Sequence, residues 1–170
     1  MKKRTMRWAS AGLVLSLFLA SLSFVPSGSG NASAATSKSM AALYAQIQNE
    51  RAAKVVALVN KERAAAGLKP LTVHTNLSKM AKDKAIDMFK NKYFSHTSPL
   101  YGSPFDMMDA YNITYRYAGE NIAKGQKSAE EVVEDWMNSP GHKANMMNAN
   151  YNLIGVGYYN GYWVQEFIGK

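Results

Sequence analysis

Three side chains able to carry proton or metal chemistry stand in separate polar stretches: His96 in YFSHTSP, Glu120 in GENIA and His142 in SPGHKAN. Two neutral imidazoles and a carboxylate suit zinc or a similar divalent ion, with one coordination position left for water. Beside such a water the carboxylate is also a candidate general base for metal-assisted hydrolysis of a peptide or phosphodiester. The intervals are 24 and 22 residues, so no local motif joins the three and only the fold can bring them together. Each is expected between regular elements, where side chains are free to converge. Pro140 disfavours helix in the residue before it and Gly141 relaxes the backbone, so His142 is expected on a sharply turned corner.

Other catalytic signatures are absent from the sequence. It contains no H-E-x-x-H, no G-x-S-x-G and no cysteine nucleophile. His74, in TVHTNLS, is expected to make a polar contact at a helix start. Asn121 and Asn145 flank the candidate histidines and read either as donors behind them or as turn residues. Tyr151, Tyr158, Tyr159, Tyr162, Trp163 and Phe167 read as strand-pairing and core residues, with the floor of a ligand groove as the alternative. The ten methionines, with no Met-x-Met tract, read as fillers of irregular core gaps.

The elements that must position these residues follow from periodicity. Leu43, Ile47, Val55, Leu58 and Val59 recur at helical spacing, giving a long first helix from about Met40 to Ala66, broken or frayed near Asn49. A second helix is expected over Leu77–Asn91, capped by Thr75 or Asn76, with Leu77, Met80, Ala81, Ala85, Met88 and Phe89 buried. Its lysines Lys79, Lys82, Lys84 and Lys90, with Asp83 and Asp87, read as a solvated face. SPFD, from Ser103, joins an N-cap, a helix-opening proline and a capping box ahead of a short helix to about Tyr111. SAEE, from Ser128, repeats the capping logic before Val132, Val133, Trp136 and Met137, in a helix ending at Pro140. A short strand is expected near Tyr115–Ala118. LIGVGYY and YWVQEFI, separated by Asn160-Gly161, are the clearest hairpin in the chain. Helices first and antiparallel strands last predict an α+β domain with helices packed on a small sheet.

At 170 residues the chain holds one domain. Lys2, Lys3, Arg4 and Arg7, an apolar run from Ala11 to Val25 and the small residues Ala32-Ser33-Ala34 read as a signal peptide over residues 1–34. The run is shorter than the ~20 residues of a membrane-spanning helix, so no stable span is expected after cleavage. Cleavage removes four basic residues and lowers the formal charge from +8 to +4, which gives no reason to expect a nucleic-acid partner. Absence of cysteine leaves an exported domain to be held by its core or by a ligand. Ala35–Ser39 reads as a disordered lead-in.

NKERAAAGLKPL, YFSHTSPLYGSPFDMM, GENIA, WMNSPGHKANMMN and IGVGYY followed by YWVQEF occur in register with the CAP superfamily, or SCP domain, and the chain resembles its bacterial extracellular branch over Val55–Ile168. The resemblance implies a three-layer α-β-α sandwich with a small antiparallel sheet between helices. It divides the chain into the signal peptide, a lead-in and helix start at 35–50, and the CAP domain at 51–170. It also implies that His96, Glu120 and His142 line a cleft able to hold a divalent metal such as zinc. The family's further acid, three residues after the helix tryptophan, falls on Ser139, so weak metal binding is expected. Asp135, one turn earlier, would share the face of Ser139 if the helix continued that far. The expected role is a secreted, non-enzymatic, monomeric module that binds a cell-envelope component, a peptide or a small amphipathic ligand; the alternative is an extracellular metal-dependent hydrolase.

Overall fold

No glycine or proline interrupts the chain between Asn31 and Ala66, and alanine-rich sequence of that kind propagates helix readily. The computed structural model describes residues 29–170, and there a single helix, α1, runs over Ser29–Ala65. Ala35–Ser39 is therefore helical rather than a disordered lead-in, and Asn49 marks no break. The basic start and apolar run of the expected signal peptide lie outside the described residues.

The remaining elements are β1 (Thr72–Val73), α2 (Thr75–Lys90), α3 (Pro104–Ala110), β2 (Tyr117–Lys124), α4 (Ala129–Asn138), α5 (Pro140–Met146), β3 (Leu153–Tyr159) and β4 (Tyr162–Gly169). The caps explain most helix starts. His74 caps α2, its Nδ1 accepting the N–H of Leu77 at 3.2 Å, which is the helix-start contact expected of it, while Thr75 and Asn76 lie inside the helix. Ser103 and Asp106 form the full capping box of α3. Ser128 accepts from the Glu131 N–H to open α4.

Strand order is β1-β3-β4-β2. The Asn160-Gly161 turn joins β3 to β4 antiparallel, and β2 runs antiparallel to β4. Two-residue β1 departs from the expected antiparallel pattern by pairing parallel to β3. Side chains alternate across the sheet with period two. Ile154, Val156, Trp163 and Phe167 pack with Val55 and Val59 of α1 and Trp136 of α4. On the opposite face Ile122, Val164 and Ile168 meet Leu77, Met80, Ala81, Ala85 and Met88 of α2, with Met107 and Met108 of α3 beside them. Helices therefore cover both faces, in the expected α-β-α arrangement. Met80, Met88, Met107, Met108 and Met146 fill the core as anticipated, whereas Met40 is exposed and Phe89 is left at the rim, edge-on to Tyr159 and Tyr162.

Glycine sets the distance between α2 and the sheet. A Cβ on Gly155 or Gly157 would lie 2.3 Å from the backbone of Leu77 or Ala81, so LIGVGYY lets helix and strand approach more closely than side chains would permit. Buried Arg63 ties the other layer down. Its guanidinium donates to the carbonyls of Lys69, Met146, Asn148 and Tyr151, anchoring the end of α5 to α1. Asn60 exchanges two hydrogen bonds with the Leu71 backbone, so the first and last residues of the NKER stretch both have a structural role.

Candidate functional site

His96 is carried by a loop after α2, and α2 itself fixes that loop. Lys84 donates to the His96 carbonyl at 2.5 Å. Asp87 accepts from Ser98 at 2.6 Å, from Asn91 at 2.5 Å and from the Tyr93 hydroxyl. Ser98 in turn accepts the N–H groups of Leu100 and Tyr101, both at 3.0 Å, and turns the chain back. Lys84 and Asp87 are buried, contrary to their expected place on a solvated face. The apolar stripe itself carried the missed signal: Lys84 lies seven residues after Leu77 and Asp87 seven after Met80, on the packed side of the helix.

The loop delivers His96 to Glu120, with Nδ1 2.6 Å from the carboxylate Oε1. The imidazole is 54% exposed, while the Glu120 side chain is 3% exposed. Glu120 lies within β2, not between elements as expected, because the strand begins two residues later than predicted and runs through GENIA. Its hydrogen bond raises the proton affinity of His96, against an opposing effect of burial.

Behind Glu120 stands a second carboxyl group. Glu166 is its cross-strand partner in β4 and is fully buried. Desolvation, reinforced by the neighbouring Glu120 charge, pushes Glu166 well above the usual carboxyl range. Two ionised carboxylates would leave Glu120 Oε2 and both Glu166 oxygens without a donor. A proton on Glu166 supplies one. Buried Lys84 adds the compensating positive charge, its own proton affinity lowered by desolvation and partly restored by Glu120, Glu166 and Asp87. Sequence reading missed Glu166; its signal was position, since β4 is buried along its whole length and any acid in it must be enclosed.

His142 approaches from α5. Pro140 occupies the first turn of a new helix rather than an open corner, so His142 is helical and partly buried. Burial lowers its proton affinity, and the nearby charge of His96 lowers it further. Asn121 donates to the His142 carbonyl at 3.1 Å and to Gln165 at 3.0 Å, and Asn145 donates to the Glu120 carbonyl at 3.1 Å and to Asn121 at 2.9 Å. Both asparagines are thus donors that lock α5 onto β2. Gly119 permits the contact: a Cβ there would stand 2.5 Å from the Tyr151 hydroxyl and 2.9 Å from Asn145.

Ser139 separates α4 from α5 in extended conformation, with φ −101° and ψ 117°. The helix does not persist to it, which removes the basis for pairing it with Asp135. Exposed Asp135 instead accepts from Gln126 at 2.8 Å.

The donor set fits a metal poorly. Glu120 commits one oxygen to His96 Nδ1, so that pair offers the His96 Nε2 edge outward, and among the described residues no three histidine, aspartate or glutamate side chains are grouped to hold an ion. The geometry does present the outer edge of His96, held in orientation by a buried acid, beside His142. That arrangement can donate or accept hydrogen bonds to a ligand, and can bear positive charge on His96.

Residues 56–167 match the model of the Cysteine-rich secretory protein family, CAP. The uncharacterized protein YkwD of Bacillus subtilis is 57% identical over 119 residues, 69% of this chain and 46% of that protein. The uncharacterized membrane protein YlbC of the same organism is 34% identical over 127 residues, 75% of this chain and 37% of that protein. The chain therefore spans less than half the length of these relatives. An extracellular SCP-domain protein from Bacillus anthracis superimposes with TM-score 0.72 at 33% identity, over 74% of this chain and 42% of that one. An outer surface protein from Borrelia burgdorferi does so with TM-score 0.62 at 26% identity, over 68% of this chain and 89% of that one.

Proposed function

The chain belongs to the cysteine-rich secretory protein (CAP) family, and on that premise we propose that it is a secreted binding module that engages a cell-envelope component, a peptide or a small amphipathic ligand at the cleft of His96, Glu120 and His142, without turning it over. The observation that carries this reading is the contact between half-exposed His96 and enclosed Glu120. It presents a fixed imidazole edge to solvent. The same contact argues against hydrolysis: one Glu120 oxygen is engaged by His96 and the other is buried beside the cross-strand Glu166, so the carboxylate offers water no accessible oxygen. Ser98, the buried serine of the His96 loop, donates to Asp87 and is no nucleophile.

An extracellular setting is supported by the signal-like N-terminal sequence and by the extracellular and outer-surface relatives. Among the described residues no helix is long and apolar enough to cross a membrane. Hydrolysis assays with zinc, on peptide and phosphodiester substrates, test the absence of turnover. Wild type and Glu120→Gln should show the same background rate. Zinc-dependent cleavage that disappears in the variant would restore the hydrolase reading.

A further inference from the structure

The two edges of the sheet are finished differently. Along the outer edge of β2, side chains supply the donors that a neighbouring strand would: Tyr151 to the Ala118 carbonyl at 2.9 Å, Asn145 to Glu120 at 3.1 Å and Trp136 to Ile122 at 3.4 Å. That edge is closed. At the other edge β1 pairs with β3 only at the beginning of the strand, and the His74 N–H to the Ile154 carbonyl, at 2.9 Å, is its last bond. The chain then turns away into α2.

Backbone groups alternate in direction along a strand, so Val156 and Tyr158 point the way Ile154 does. Among the described residues neither has a backbone partner on that side. The edge is not open to bulk solvent in the ordinary way, because Val156 is only 6% exposed. Backbone polar groups enclosed to that degree require a partner or water. Beside them runs a groove of about 400 Å³, between Ala52, Ala53 and Val56 of α1 and Ser78 and Lys82 of α2, with Val73 at its end.

We propose that this slot binds an extended peptide, which adds as a strand to β3 where β1 leaves off and pairs with the backbone of Val156 and Tyr158. Main-chain pairing along an exposed sheet edge is a general route to peptide recognition. Two outward-facing residues define a segment of three to four residues, roughly 10 Å of extended chain. The small walls select small apolar side chains. Lys82 selects an acidic one: it reaches Asn49 across the groove at 3.3 Å, and no carboxylate pairs with it among the described residues, whereas Lys79 is already joined to Asp83. The slot and the His96 cleft belong to opposite edges of the sheet, so the inference does not depend on the cleft.

Selection from a displayed library of random heptapeptides, followed by amide exchange on the labelled protein, provides the test. Selected peptides should carry small apolar residues at alternate positions with an Asp or Glu, and should slow exchange at Val156 and Tyr158. N-methylation of the peptide at every second residue should weaken binding about tenfold, while methylation in the other register should not. Ala53→Trp, which fills the slot from an exposed position on α1, should abolish binding while unfolding in urea stays unchanged. The proposal is overturned if no selected peptide protects the two amides, if methylation is tolerated in both registers, or if Ala53→Trp binds normally. It is equally overturned if both amides are already protected in dilute protein without peptide, or become so with rising protein concentration, which would assign the edge to a second copy.

Discussion

The proton affinities of His96 and His142 are shifted in opposite directions, and each shift has a distinct cause. The Glu120 hydrogen bond raises His96, whereas burial lowers His142. For His96 the folded value lies above the unfolded one of ~6.5, so its contribution to stability is complete below that pH and is lost as pH rises through the folded value. For His142 the contribution is present above ~6.5 and is lost as pH falls through the folded value. Ring-proton NMR should therefore show His96 titrating above His142, and Glu120→Gln should bring the His96 midpoint down while leaving His142 with its burial effect. Coincident midpoints in wild type would mean that the His96–Glu120 contact does not form in solution. The His96–Glu120 contact was within reach of the sequence because resemblance marked both residues together with His142. Glu166 was not, since a lone acid in an apolar strand carries no mark of the partner opposite it until the β2–β4 register is known.

At the scale of elements, turn and cap chemistry was the readable part. The Asn160-Gly161 hairpin and the Ser103 capping box appear where residue types alone place them, because both depend on contacts within a few residues. Charge alone assigns Lys84 and Asp87 to a solvated face, whereas their position in the repeat buries them, and their partners lie in a loop that periodicity does not describe. The helix break expected at Pro140 is present, but the corner expected for His142 is a new helix, because proline ends one helix and opens another with equal ease. The packing of α4 offers a direct check. Trp136 is 1% exposed, sits between α1 and the sheet, and donates to Ile122. Trp136→Ala should cost about 3–5 kcal/mol in denaturant unfolding. A loss near zero would mean that α4 does not seal the core in solution.

Across the whole molecule, one layer of the sandwich supports the segment that carries His96 and the other the segment that carries His142. Helix α2 holds the His96 loop through Lys84 and Asp87, while Arg63 of α1 holds the end of α5 and so the helix that carries His142. Neither arrangement needs a disulfide, in keeping with a chain that has no cysteine. Under the binding proposal, this frame holds a recognition surface in place. Equilibrium binding of the purified domain to isolated bacterial cell envelopes tests that claim most directly, with sedimentation to separate bound from free protein. Wild type should bind saturably, the bound material should be recovered uncleaved, and His96→Ala combined with His142→Ala should abolish binding while urea unfolding of the variant remains cooperative. Equal binding by wild type and the double variant, or release of cleaved envelope material that depends on Glu120, would contradict the account.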